Sequence, residues 1–303
     1  MSEAIRAPAR LDLALMMLTA LIWASGFVAI RVAVPETGPV WLAAIRVGLG
    51  FVVLLPYAIW RGMVWPQSRS QWWLIIGMSL LNVVIPFMLI SWAGLTLEAG
   101  VLSLLMGTGP FLALIGSHFF TDDDRLTSRK MISVLLGFSG IMVLVGPSAL
   151  AGIGEGSFQA KLAALGATLC YVSAGLLIRR ITMPPVRLAC LALAIGTAAL
   201  IPLALMLEGA PATGLSSQAI ALLIYLGVFP TGIAYILRFH LIRTIGYSRF
   251  AITINMIPVF GVALGVILLD EPLTWNVVMA LGLVLSGLYV AAGKDRSGSV
   301  PQS

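Results

Sequence analysis

The sequence predicts an all-α polytopic membrane protein of ten transmembrane helices, built as two inverted five-helix repeats with both termini cytoplasmic. Three observations predict it: an apolar composition, ten apolar stretches of spanning length, and an internal duplication. Of 303 residues, 60% are hydrophobic and 10% charged, against about 25% charged in a soluble domain. Such a chain cannot cover its surface with polar groups. A bilayer-crossing helix needs about 20 apolar residues, and stretches of that kind run over 11–34, 40–60, 72–94, 97–120, 129–147, 158–180, 186–207, 217–240, 246–269 and 274–293. The runs are continuous and rich in Leu, Ala and Gly. The strands of a membrane barrel would instead alternate apolar with polar residues.

The duplication is read residue by residue. Leu21, Trp23, Ser25, Ile30 and Arg31 recur as Leu169, Tyr171, Ser173, Ile178 and Arg179, each 148 positions later. Val40, Leu42, Gly50 and Pro56 recur 146 positions later as Val186, Leu188, Gly196 and Pro202; Phe87 recurs as Tyr235 and Pro110 as Pro258 at 148. Leu126, Thr127, Ser139 and Gly140 recur as Leu273, Thr274, Ser286 and Gly287 at 147. The two copies occupy 1–150 and 151–303. Five spans is an odd number, so the second copy must enter the membrane from the side opposite to the first. Inverted halves can exchange shapes about an axis in the membrane plane, which is the geometric basis of alternating access. A gated pore is the rival reading.

The first stretch follows Arg6 and Arg10 as a signal peptide would, but it is long, and its partner lies in mid-chain, so it reads as helix 1. With the amino terminus cytoplasmic, 15 of the 18 Lys and Arg residues fall on the cytoplasmic side, only Arg31 and Lys161 fall outside, and Arg46 lies within helix 2. That is the positive-inside distribution, and it accounts for the net charge of +6 without nucleic acid. Arg46, about two turns into its helix, either snorkels outward, the favoured reading, or attracts an anionic group. Cys170 and Cys190 lie inside spans and suggest neither a disulfide framework nor a metal spacing. No span carries a central carboxylate, no phosphate-cradling loop appears, and His118 and His240 lie near helix ends. These absences argue against a tightly proton-coupled carrier, an ATP motor, and an enzyme, and no cofactor is expected.

Candidate site residues come from the spans that proline and glycine interrupt, because freed backbone groups are tolerated where protein or a wet cavity satisfies them. Helix 4 places Gly100, Ser103, Gly107 and Pro110 on one face, and helix 9 places Ala251, Asn255 and Pro258 on the equivalent one. Helix 3 offers Ser79, Asn82 and Pro86, and helix 8 offers Gly227, Pro230 and Thr231. Pro86, Pro110, Pro230 and Pro258 are the expected breaks or hinges. Asn82 and Asn255 carry amides near mid-membrane, where they either orient a solute or bond neighbouring helices. Trp23 and Tyr171, equivalent across the copies, either stack on an apolar part of the solute or pack the core. Trp92 and His240, also equivalent, fall toward opposite membrane faces and suit gates. With Ser79, Ser103, Gly107 and Thr231, these complete the expected substrate-binding set. A cavity of aromatic rings and amides with no buried fixed charge suits neutral or amphipathic solutes. Small-residue faces on helices 5 and 10, with Ser133, Gly137, Gly140, Ala280 and Gly287, suit scaffold packing or a dimer contact.

Ile22, Trp23, Ala24, Ser25, Gly26 and Phe27, then Arg46, and above all Pro258 followed by Asp270, Glu271, Pro272, Leu273, Thr274 and Trp275, with Gly282 and Gly287 beyond, carry a family likeness. The chain resembles the drug/metabolite transporter superfamily, most of all its EamA-type ten-helix branch. Asp122, Asp123, Asp124 and Arg125 depart from the usual glutamate-containing turn of the first copy. The resemblance implies a secondary carrier that moves small metabolites out across a bacterial inner membrane, through a cavity lined by helices 1, 3, 4, 6, 8 and 9. Likeness to aromatic amino acid exporters within the branch implies amino acids as substrates over a broad range. Cationic drugs are the alternative. The expected partners are the solute and the lipid bilayer, with no nucleic acid, in a monomer or homodimer.

Overall fold

The computed structural model describes residues 6–120, 127–151 and 156–292, and among these all regular structure is helical. The turn with Asp122, Asp123, Asp124 and Arg125 lies outside the described residues. In chain order the helices are α1 (Arg10–Thr37), α2 (Pro39–Trp60), α3 (Arg69–Ser79), α4 (Ile85–Gly94), α5 (Ala99–Met106), α6 (Gly109–Phe120), α7 (Ser128–Ala151) and α8 (Gly156–Ile178). They continue as α9 (Pro185–Leu207), α10 (Ser217–Leu226), α11 (Ala234–Ile245), α12 (Tyr247–Leu269) and α13 (Trp275–Ala292). Two π-helical turns, π1 (Leu80–Val84) and π2 (Gly227–Ile233), join α3 to α4 and α10 to α11 without interrupting the rod. Eight of the resulting stretches are long and apolar enough to cross a bilayer, and a shorter apolar helix covers Trp275–Ala291. This is a polytopic membrane protein, because hydrocarbon offers backbone groups no water and each must be bonded within its own segment. The helix α7 occupies the place of the fifth expected stretch.

Local sequence sets the boundaries. Pro39 and Pro185 stand at the first helical positions of α2 and α9, where a missing N–H costs nothing. Ser68 and Ser216 cap α3 and α10 by accepting from Gln71 N at 3.2 Å and Ala219 N at 3.1 Å. α12 closes on Asp270 in the left-handed region, at φ 53°.

The long helices pair as α2 with α9, α1 with α12, and α7 with α13. The small-residue faces expected for a scaffold meet one another within the chain: Ser133 Oγ donates to Gly287 O at 2.8 Å, and Phe111 wedges against Gly137 and Gly287. Where α2 crosses π2, a side chain at Gly227 would collide with Leu49, and Cβ atoms at Gly50 and Gly232 would sit 2.5 Å from Thr231 and 2.6 Å from Val53. Where α9 crosses π1, a Cβ at Gly196 would lie 2.7 Å from Val83. Thus Gly50 and Gly196, equivalent in the duplication, each admit a π-turn of the other half.

The two ends of the bundle are held by opposite chemistry. At the end where α1 finishes, three carboxylates accept hydrogen bonds at the starts of helices from other parts of the chain. Glu208 accepts from Val40 N (2.8 Å) and Trp41 N (2.9 Å), and Glu36 from Ser216 N (2.9 Å) and its hydroxyl (2.8 Å). Glu271 accepts from Ala99 N (2.5 Å) and Gly100 N (2.9 Å). A helix N-terminus presents unpaired N–H groups and a partial positive charge, so a carboxylate belongs there. At the other end arginines donate to carbonyls that finish helices: Arg187 to Arg61 O at 2.8 Å and Arg129 to Val290 O at 2.6 Å. Arg6 pairs with Asp12 at 2.6 Å, the single ion pair among the described residues. Arg31 is the exception, donating to Gly94 O and Leu95 O at the glutamate end. There Arg31, Glu98, Asp270 and Glu271 line an open cleft of about 630 Å³.

Close approach makes Gly50→Ala an overpacked variant, expected to lose about 1–3 kcal/mol; thermal unfolding in detergent should place it well below wild type. Gly282→Ala, with nothing within 4 Å of the added carbon, should match or exceed wild type, because alanine is the better helix former. Equal losses in both would refute the close-packing account. Burial, then the nearby Glu271 charge, raises the Glu98 carboxyl above its ordinary 4.5. The folded protein then holds a proton that the unfolded chain has released, so this residue's contribution to stability falls as pH climbs from 4.5. Glu98→Gln is expected to gain in melting temperature over wild type as pH rises from 4 to 7; parallel curves would contradict this.

Candidate functional site

The site begins with a proline. Pro230 has no N–H to offer the preceding turn, and the hydroxyl of Thr231 donates to Leu226 O at 2.8 Å. The same oxygen accepts from Arg46 Nε at 3.3 Å. The Pro230 carbonyl in turn accepts from Trp23 Nε1 at 3.1 Å. One irregular turn therefore fixes an indole from α1 and a guanidinium from α2.

Arg46 is 7% exposed, and its guanidinium carbon lies 4.3 Å from the Phe87 ring centroid. Tyr171 and Tyr235 are its electrostatic neighbours. Its terminal nitrogens make no hydrogen bond among the described residues, and no carboxylate faces it. The expected outward snorkelling is therefore corrected. Phe87 of α4 encloses the side chain on one face and Thr231 of π2 on its edge, an approach that the glycines at the crossing of α2 and π2 permit. Arg238, counted by charge on the cytoplasmic side, lies within α11, beside the Tyr235 ring at 6.0 Å, and its buried Nε has no partner among the described residues. Phe87 and Tyr235 are the equivalent aromatics of the duplication, and each carries a guanidinium. The expectation of no buried fixed charge does not hold.

The other expected residues divide by what their polar atoms do. Ser79 and Ser103 are fully buried, and their hydroxyls donate within their own helices to Ile75 O at 2.6 Å and Gly100 O at 2.8 Å. Asn82, in π1, and Asn255, in α12, are half-buried and make no side-chain hydrogen bond among the described residues. Trp23 stands edge-on to Phe250 at 6.1 Å, and Tyr171 is half-buried between the two main apolar clusters. Gly107 separates α5 from α6 and presses on Pro258, leaving no room for a Cβ. Pro86 and Pro110 each stand second in a helix that follows a break, Pro230 lies within π2, and α12 continues unbroken through Pro258. Trp92 and His240 are both exposed.

Arg46 and Arg238 are what sequence reasoning left out of the site. The signal that could have found Arg46 is its place in a span whose second-half equivalent, Ala192, is apolar. For Arg238 it is the neighbouring tyrosine at position 235, one helical turn away.

Known proteins resemble the chain along most of its length. A probable amino-acid metabolite efflux pump of Escherichia coli K12 is 26% identical over 296 residues, covering 93% of this chain and 94% of its own length. A probable terminal-alkyne amino-acid exporter of Streptantibioticus cattleyicolor is 24% identical over 294 residues, 94% of this chain and 96% of that one. An uncharacterized transporter of Archaeoglobus fulgidus is 25% identical over 91% of this chain and 97% of its own. A crystal structure with 19% identity superposes at TM-score 0.65 over 92% of this chain and 96% of that one, a likeness of fold. The model of the EamA-like transporter family matches twice, at residues 11–146 and 159–293, and the chain belongs to that family.

Proposed function

We propose that this protein exports amino acids, aromatic and others, across the bacterial inner membrane by alternating access between two inverted five-helix halves. Ten helices with cytoplasmic termini divide into residues 1–150 and 151–303. As a member of a transporter family it handles small molecules in a lipid bilayer. The observation that carries the finer reading is the pairing of the π-turns. Adding the 148-residue repeat to π1 (Leu80–Val84) lands inside π2 (Gly227–Ile233), and each turn packs on a glycine of the other half, Gly196 and Gly50. Irregular backbone at corresponding depths in two halves is where carriers of this architecture place their substrate. Asn82, Asn255, Trp23 and Tyr171 supply hydrogen bonding and aromatic surface there. Two relatives, a probable terminal-alkyne amino-acid exporter and a probable amino-acid metabolite efflux pump, support the solute class.

Export of cationic drugs is the second reading, and Arg46 and Arg238 speak against it, since a buried guanidinium repels a cation. A gated pore is the third. Purified protein in vesicles separates them: a carrier should take up labelled amino acid saturably and faster when unlabelled amino acid is trapped inside. Flux that rises linearly with concentration and ignores trapped solute would overturn the carrier. The Asn82→Ala and Asn255→Ala variants are each expected to raise the apparent KM about tenfold, the loss of one hydrogen bond to a charged group. Unchanged KM in both folded variants would remove the amides from the site.

A further inference from the structure

We infer that Arg46 is the anchor for the carboxylate of the transported solute, so that the site recognises amino acids by their acid group rather than by their ammonium. The inference deepens the amino acid reading above and rests on it for the identity of the solute. Four observations carry it. Arg46 is more than nine-tenths buried, 7% exposed, and arginine keeps its charge in such surroundings. Its one hydrogen bond uses Nε, toward Thr231, which leaves the paired terminal nitrogens without a partner among the described residues. That free edge is the planar fork that a carboxylate matches with two parallel hydrogen bonds. Finally, no acid of the described spans faces it. Asp12, Glu36, Glu98, Glu208 and Glu271 all bond or line the ends of the bundle.

The surroundings narrow the class further. The guanidinium face lies on Phe87, and Tyr171 and Tyr235 are near enough to interact with its charge, so a ligand whose acid meets the fork finds aromatic side chains around it. Arg238, hydrogen-bonded to nothing among the described residues, lies 6.0 Å from the Tyr235 ring centroid and carries a second positive charge. The ligand is a small monocarboxylate with an apolar or aromatic side chain, and a zwitterionic amino acid satisfies that description. Orientation of the fork comes from π2: the Thr231 hydroxyl donates to the Leu226 carbonyl, and its oxygen holds Arg46 Nε. Any movement of π2 relative to α2 therefore turns the anchor.

The test uses the full chain in nanodiscs and in vesicles. Phenylalanine, leucine and glutamine are compared with their amides, which lack the carboxylate, by thermal stabilisation and by counterflow. Wild type is expected to bind each acid at least tenfold more tightly than its amide. Arg46→Gln should weaken the acids at least thirtyfold and the amides less than threefold, abolishing the discrimination, while Arg46→Lys keeps an intermediate preference. Should Arg46→Gln fail to fold, Arg46→Lys and Thr231→Val decide, each expected to cut the acid-over-amide ratio at least threefold. Equal affinity of acid and amide in wild type, no binding of either, or full discrimination retained in the folded variants would overturn the anchor. Arg46-dependent binding of the acids without counterflow would keep the anchor and sink amino acid transport. Counterflow with discrimination untouched by Arg46→Gln would do the reverse.

Discussion

Inside a membrane every polar group needs a partner, and the Thr231 hydroxyl has two, donating to the Leu226 carbonyl and accepting from Arg46 Nε. Much of the site follows from that hydroxyl. With its proton committed to Leu226, the Thr231 oxygen is left as an acceptor in a place without water, and Arg46 supplies the donor. The arginine can approach because Gly50 and Gly227 let α2 lie against π2. Pro230, the cause of the irregularity, also turns its own carbonyl toward Trp23. Remove the hydroxyl and two polar groups, the Leu226 carbonyl and the Arg46 guanidinium, lose a partner together.

The helices themselves were legible in the sequence, since continuous apolar runs in a chain with 10% charge admit little else. So were the breaks at Pro86, Pro110 and Pro230, because proline states its own backbone constraint. Pro258 shows the limit of that rule: α12 absorbs it without breaking, packed against Gly107. Side-chain direction was not legible. Ser79 and Ser103 sit on the expected faces, yet their hydroxyls bond the preceding turn of their own helices, a choice open to any helical serine. Arg46 lies close enough to its helix end to snorkel, and what prevents it, the ring of Phe87 and the Thr231 hydroxyl 185 residues away in the chain, is long-range information.

The same separation of ends and centre organises the charges. Glutamates gather where helices begin at one end, arginines where helices finish at the other, each at the pole of the helix dipole that favours it. These contacts lie at the bundle's rims and are within reach of water, so they can open at modest cost. The buried guanidinium has no such latitude. A charge of that kind is retained at a large cost in desolvation, and here no carboxylate among the described residues pairs with it, which is the condition under which a ligand's opposite charge contributes most.

Alternation of the two ends is the central claim, and distances between spin labels test it most directly. With Cys170 and Cys190 replaced, one labelled pair at Thr96 and Thr213 reports the glutamate end, and another at Gln67 and Thr244 reports the arginine end. In nanodiscs, adding a transported amino acid should shift the two distance distributions in opposite directions, one end closing as the other opens. Distributions that stay fixed at both ends, or that widen together, would contradict the account.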